Sequence, residues 1–75
     1  MTPYPKGTLV KIEKMYINAR LVDVSKENVI GYITGLLNEF NVLEEGQTES
    51  NPLYQVYLFQ YGRHRSAFHS YITLP

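Results

Sequence analysis

Residues 53–61, Leu-Tyr-Gln-Val-Tyr-Leu-Phe-Gln-Tyr, run for nine positions without a glycine or a proline. Aromatic and β-branched residues at this density fit a pleated, half-buried surface, so the run predicts a strand. Side chains alternate across a strand, which sends Tyr54, Val56 and Leu58 to one face and Tyr57, Phe59 and Tyr61 to the other. Both faces are apolar. If the first set fills a core, the second is an outward aromatic row, or it is a further core layer covered by another part of the chain.

Other segments supply partners for this strand. In residues 8–14, Val10 and Ile12 alternate with Lys11 and Glu13, the period of a half-buried first strand. Residues 17–24, with Leu21, Val22 and Val24, read as a short strand or as a long loop arm. In residues 25–40, Val29, Ile30, Ile33, Leu37 and Phe40 fall at helical spacing, and Ser25 is a suitable cap. Gly31 and Gly35 oppose that helix, each costing a helix interior about 1 kcal/mol, and Val29, Ile30, Ile33 and Thr34 are β-branched. A strand over residues 29–37 is the preferred reading, with the two glycines marking bends where it coils, and an α+β fold with one helix over residues 25–40 is the alternative.

Punctuation sets the rest. Pro3, Pro5 and Gly7 make residues 1–7 an extended or turned arm. Residues 41–52 form a polar, acidic loop, Gly62-Arg63 supplies a tight turn, residues 64–68 return as an antiparallel partner, and residues 71–74 close the chain as a last short strand. The chain reads as one small all-β domain over residues 1–75.

A hydrophobic fraction of 44%, with 13% aromatic residues, is enough for one core in 75 residues. Cysteine is absent, which removes disulfides, thiolate nucleophiles and thiolate metal sites together. No run approaches the roughly 20 apolar residues of a membrane span, and no secretory leader is recognisable at the N-terminus. The formal net charge is zero, which argues against a dominant phosphate-binding surface. Bases concentrate in residues 1–26 and acids in residues 27–51, so separate positive and negative faces or a mixed solvated surface are both open, and head-to-tail assembly through such faces is physically possible.

The residues suited to binding lie around the second half of the 53–61 run. Tyr57, Phe59 and Tyr61 are interface anchors by type, and Arg63 and Arg65, flanking His64, carry guanidinium forks that grip carboxylates or phosphates. A solvated hairpin tip explains the same charges. In the nucleic-acid version Lys11, Lys14, Arg63 and Arg65 meet phosphates while Tyr61 stacks on a base, a weak site that salt would weaken further. An uncovered aromatic row also predicts self-association or a protein partner.

Catalysis and metal binding find little support. His64 and His69 stand five apart, on opposite faces of a strand, and no carboxylate lies at ligand spacing, so no metal site is expected. His69 is expected to be partly buried and hydrogen-bonded. Neither Ser66 nor Ser70 sits in a nucleophile-elbow pattern, Glu44 and Glu45 lie in the loop, and no glycine-rich phosphate cradle is present. The expectation is no enzyme, no cofactor, no small-molecule substrate and no membrane partner.

The order Gly7-Thr8-Leu9-Val10-Lys11-Ile12, Ile30-Gly31-Tyr32-Ile33-Thr34, Tyr54-Gln55-Val56-Tyr57-Leu58, a glycine turn and Ser70-Tyr71-Ile72-Thr73-Leu74 resembles small SH3-like barrels. It is similar in particular to the short single-domain SH3-like proteins encoded by tailed bacteriophages. That resemblance implies a five-stranded barrel without catalytic residues that docks to protein or nucleic acid. A structural role in the virion or its assembly follows by analogy, in the virion or host cytoplasm, and otherwise a cytoplasmic location.

Overall fold

In the computed structural model of this chain, which describes residues 3–37 and 51–75, the predicted strand forms but stops early. Seven strands follow in chain order among the described residues: β1 (Leu9–Ile12), β2 (Lys14–Ile17), β3 (Arg20–Asp23), β4 (Val29–Leu36), β5 (Leu53–Leu58), β6 (Arg63–Phe68) and β7 (Ile72–Thr73). An antiparallel five-stranded sheet runs in the order β6-β5-β4-β1-β7, and β2 and β3 pair as a separate hairpin. Helical structure among the described residues is confined to short 3-10 turns such as Ser25–Glu27 and His69–Tyr71.

Alternation builds the core. Val10 and Ile12 of β1, Val29 and Ile33 of β4, and Tyr54, Val56 and Leu58 of β5 all point into one cluster with Met15, Val24, Ala67 and Ile72. Each large side chain fully buried there contributes about 1.5–3 kcal/mol. Segment 29–36 is a strand because period-two burial puts Val29, Gly31 and Ile33 inside and sends Ile30, Tyr32 and Thr34 outward. A helix would have gathered Ile30 with Ile33 instead. Gly31 is required by closeness, since a Cβ there would collide with the Tyr57 carbonyl oxygen across the strand pair. Gly35 follows a β-bulge at Thr34, where the pairing jumps from Ile33↔Val56 to Gly35↔Gln55 and the strand bends.

Several expectations change in detail. The first strand is not continuous over residues 8–14: β1 ends at Ile12, Glu13 interrupts it, and Lys14 opens β2. The Glu13 N–H donates to Tyr71 O while Val24 N–H donates to Glu13 O, so this break is where the hairpin leaves the sheet and returns. Residues 17–24 are not a lone strand but the end of β2, a turn at Asn18 and Ala19, and β3. Both turn residues have positive φ, 52° and 64°, as a tight right-twisting hairpin demands. The preferred strand over residues 29–37 forms as β4, one residue shorter, and the alternative helix over residues 25–40 does not form in its described part, where Ser25–Glu27 makes one 3-10 turn.

At the other end Gly62 forms the end of a turn spanning residues 59–62, with φ of 63°, and Arg63 already belongs to β6. The last strand is shorter than expected because Tyr71 lies in the 3-10 turn. The N-terminal arm is tied down, since Gly7 N–H donates to Ile33 O at 2.7 Å. Most of the polar loop expected over residues 41–52 lies outside the described residues. Of its end, Pro52 is buried and its carbonyl accepts the His69 N–H.

Candidate functional site

The aromatic row expected from alternation is divided in two. Tyr57 lies on the outer face of β5, half-buried, opposite Tyr32 of β4 and His64 of β6. Phe59 is already in the turn, yet its ring stays with that group: centroids are 5.5 Å from Tyr32 and 6.1 Å from Tyr57, and Tyr57 meets His64 edge-on at 5.2 Å. Rings this close pack against one another and leave no slot between them. The result is a solid aromatic plate with Phe59 53% exposed at its edge.

Tyr61 parts from that plate. With the strand ended at Leu58, strand alternation no longer governs it, and it lines a shallow cavity of about 200 Å³ with Met15, Ile17, Arg63 and Arg65. The register explains the two arginines: Arg63 stands opposite Leu58 and Arg65 opposite Val56, so both leave β6 on the core side of the sheet. The hairpin supplies Met15 and Ile17 to the same cavity. The cavity is smaller than the roughly 300–1,000 Å³ of sites for drug-sized ligands, so it suits one inserted side chain better than a cofactor.

Neither guanidinium has a carboxylate partner among the described residues. Two of the carboxylates there are engaged elsewhere. Glu13 Oε1 accepts the Thr73 hydroxyl at 3.1 Å, and Asp23 Oδ1 accepts both the Ser25 hydroxyl at 2.6 Å and the Ser25 N–H at 2.9 Å. Those Ser25 bonds hold the Asp23 carboxyl below its ordinary range, with Lys14 and Lys26 adding to them.

The four bases of the nucleic-acid reading do not share a face. Lys11 lies on the outer side of β1 between Ile30 and Thr73, Lys14 stands across the hairpin from Asp23, and Arg63 and Arg65 lie on the cavity side. Among the described residues no three His, Asp or Glu side chains cluster at a metal-binding distance, and no helix is long and apolar enough to cross a membrane.

His69 is held in a structural cluster at the far end of β5. The Tyr54 hydroxyl accepts the Tyr4 N–H at 3.0 Å and lies 2.7 Å from His69 Nδ1, while the Tyr4 ring stacks on the imidazole at 4.7 Å. The Tyr54 hydroxyl thus joins the N-terminal arm to the last 3-10 turn, accepting from the Tyr4 N–H and sharing a hydrogen bond with His69 Nδ1. Burial pushes the Tyr54 hydroxyl above its ordinary range.

Sequence reasoning missed Met15, Ile17 and Tyr32. Apolar residues in both 14–17 and 20–23 around Asn18 carry a hairpin signal, but Asn-Ala lacks the glycine that makes such a turn recognisable. Tyr32 was hidden by the helical spacing of its neighbours. No family model matches this sequence, and neither a curated protein nor a solved structure matches it.

Proposed function

We propose that this chain is a non-catalytic protein-binding module of SH3-like barrel type that docks through the end of the molecule where the β2–β3 hairpin meets the β5–β6 turn. One observation carries the reading. Of the eight large apolar side chains exposed among the described residues, six belong to that hairpin and turn: Tyr16, Ile17, Leu21, Val22, Phe59 and Tyr61. A domain this small leaves such a concentration uncovered where a partner covers it.

Support for the barrel type comes from the meander β4-β5-β6, the return of β7 to the side of β1, and the 3-10 turn before β7. The resemblance to phage-encoded barrels extends the reading to a virion or assembly component, for which stoichiometric presence in purified particles is the check. Dispersal of the four bases gives the nucleic-acid alternative no focused site, and a salt-dependent titration with DNA and RNA is expected to show no low-salt complex.

Docking itself is tested with the full chain immobilised in an extract of its own producing cells, beside a chain carrying Ile17→Ser and Tyr61→Ser. A protein retained in fixed proportion by the first and lost by the second is the expected result. Equal retention by both, or retention by neither, overturns the docking surface.

A further inference from the structure

We infer that the groove beside β6 takes an extended acidic polypeptide segment, which adds as a strand to the free edge of β6 and lays two carboxylates on Arg63 and Arg65. The inference rests on the docking reading and names the chemistry of its partner. Three observations meet at this place.

First, β6 is the end strand of the five-stranded sheet, and among the described residues nothing pairs with its outer side over six residues. The hairpin lies near but forms its own sheet with no backbone hydrogen bond to β6. A free edge of this length is a template for an incoming strand, which gains affinity from main-chain bonds.

Second, Arg63 and Arg65 are exposed, lack carboxylate partners among the described residues, and stand two apart on the same side. Alternation in the incoming strand puts its residues i and i+2 on one side too, so two acids spaced by two meet both guanidinium groups. Third, the cavity continues from Arg63 to Tyr61, Ile17 and Met15, so the next residue on that side of an antiparallel strand is apolar. The ligand pattern is acid, any residue, acid, any residue, large apolar residue.

Charge also selects between occupants. A second copy pairing β6 to β6 in full antiparallel register would set Arg63 against Phe68 and Arg65 against Ser66, and β6 itself carries no carboxylate to meet either guanidinium. A nucleic acid would meet two unpaired arginines without a wider basic field. An acidic polypeptide is favoured by both the charges and the edge.

The probe is an end-capped eight-residue peptide with two glutamates two positions apart, leucine two positions after the second, and threonine elsewhere, titrated into the isotopically labelled full chain. Amide shifts are expected along β6 and at Ile17 and Tyr61. Affinity should fall at least about tenfold with Arg63→Glu plus Arg65→Glu. It should fall similarly when the backbone amides of the peptide that face β6 are N-methylated, which leaves its charge unchanged.

Rescue protects the test against a misfolded variant: the doubly reversed chain should bind the same peptide with lysines in place of glutamates. Equal affinity of the original chain for both peptides, indifference to N-methylation, shifts confined to the Tyr32–Tyr57–Phe59 plate, or no binding overturns the inference. So does dimerisation through β6, or tighter binding of an oligonucleotide at the same residues. If the peptide fails while Ile17→Ser with Tyr61→Ser still abolishes partner retention, the partner chemistry is wrong and the docking surface stands.

Discussion

Tyr54 and Tyr61 begin on opposite faces of one nine-residue run and end in opposite roles. Tyr54 is fully buried, its hydroxyl placed between the Tyr4 N–H and His69 Nδ1, and it clamps the N-terminal arm and the last 3-10 turn onto the sheet. Tyr61 is 42% exposed over a cavity whose arginines have no acidic partner among the described residues. The same residue type is a structural rivet where its polar atom is bonded inside, and a half-open cavity wall where the run has left the strand. Surroundings, more than composition, separate the two ends of the run.

The sharpest way to break this comparison is to truncate both tyrosines. Tyr54→Ala should lose about 3–5 kcal/mol in urea denaturation, enough to unfold much of the population. Tyr61→Ala should stay within about 0.5 kcal/mol. Similar losses for the two would end the distinction.

A gentler cut isolates the polar part. Tyr54→Phe keeps the ring but leaves the Tyr4 N–H and His69 Nδ1 without their partner, with an expected loss of about 1–3 kcal/mol. It should also change the alkaline limb of stability. Because burial raises the hydroxyl pKa in the folded state, its contribution is complete below the unfolded value of about 10 and is lost as pH rises through the folded value. A stability profile of the phenylalanine variant that still falls through that window in the same way would sink this assignment.

On the open side the backbone is where strain lies. Ala19 holds φ of 64°, a conformation that is easy for glycine and unfavourable for other residues. Ala19→Gly should therefore stabilise the chain by about 0.5–1 kcal/mol, less than the steric relief alone because glycine gains freedom when unfolded. A loss of stability in thermal unfolding would mean that the hairpin turn differs from the one described.

The smallest expected effect is acidic. Asp23 has its pKa depressed by the Ser25 hydroxyl and N–H, so its contribution is present above the ordinary carboxylate value of about 4 and fades as pH falls through the depressed one. Asp23→Asn should flatten that part of the stability profile between pH 5 and 2 without changing peptide binding at β6.

Much of the fold was legible because burial follows period. Val10 and Ile12, then Tyr54, Val56 and Leu58, alternate with polar or outward residues, and each of these apolar positions is in the core. The candidate site was readable as residue types but not as an arrangement. Tyr57, Phe59 and Tyr61 share a parity in the run, yet strand alternation holds only while the strand lasts, and β5 ends at Leu58. Nothing local marks that end, because Phe59 and Gln60 carry no breaker; the turn is set by Gly62 and by the pairing of Leu58 with Arg63.

By itself, then, the sequence determined that this chain is a small all-β structure with an inner face of Tyr54, Val56 and Leu58, since a period of two leaves no other way to bury them together. It also supplied Arg63 and Arg65 as paired cations. Only the tertiary structure decided that Tyr61 leaves Tyr57 and Phe59, that Met15 and Ile17 arrive beneath it from a hairpin nearly fifty residues earlier, and that β6 is an edge. Those facts depend on which segments become neighbours through the register of distant strands, and a pattern of spacings along the chain does not contain them.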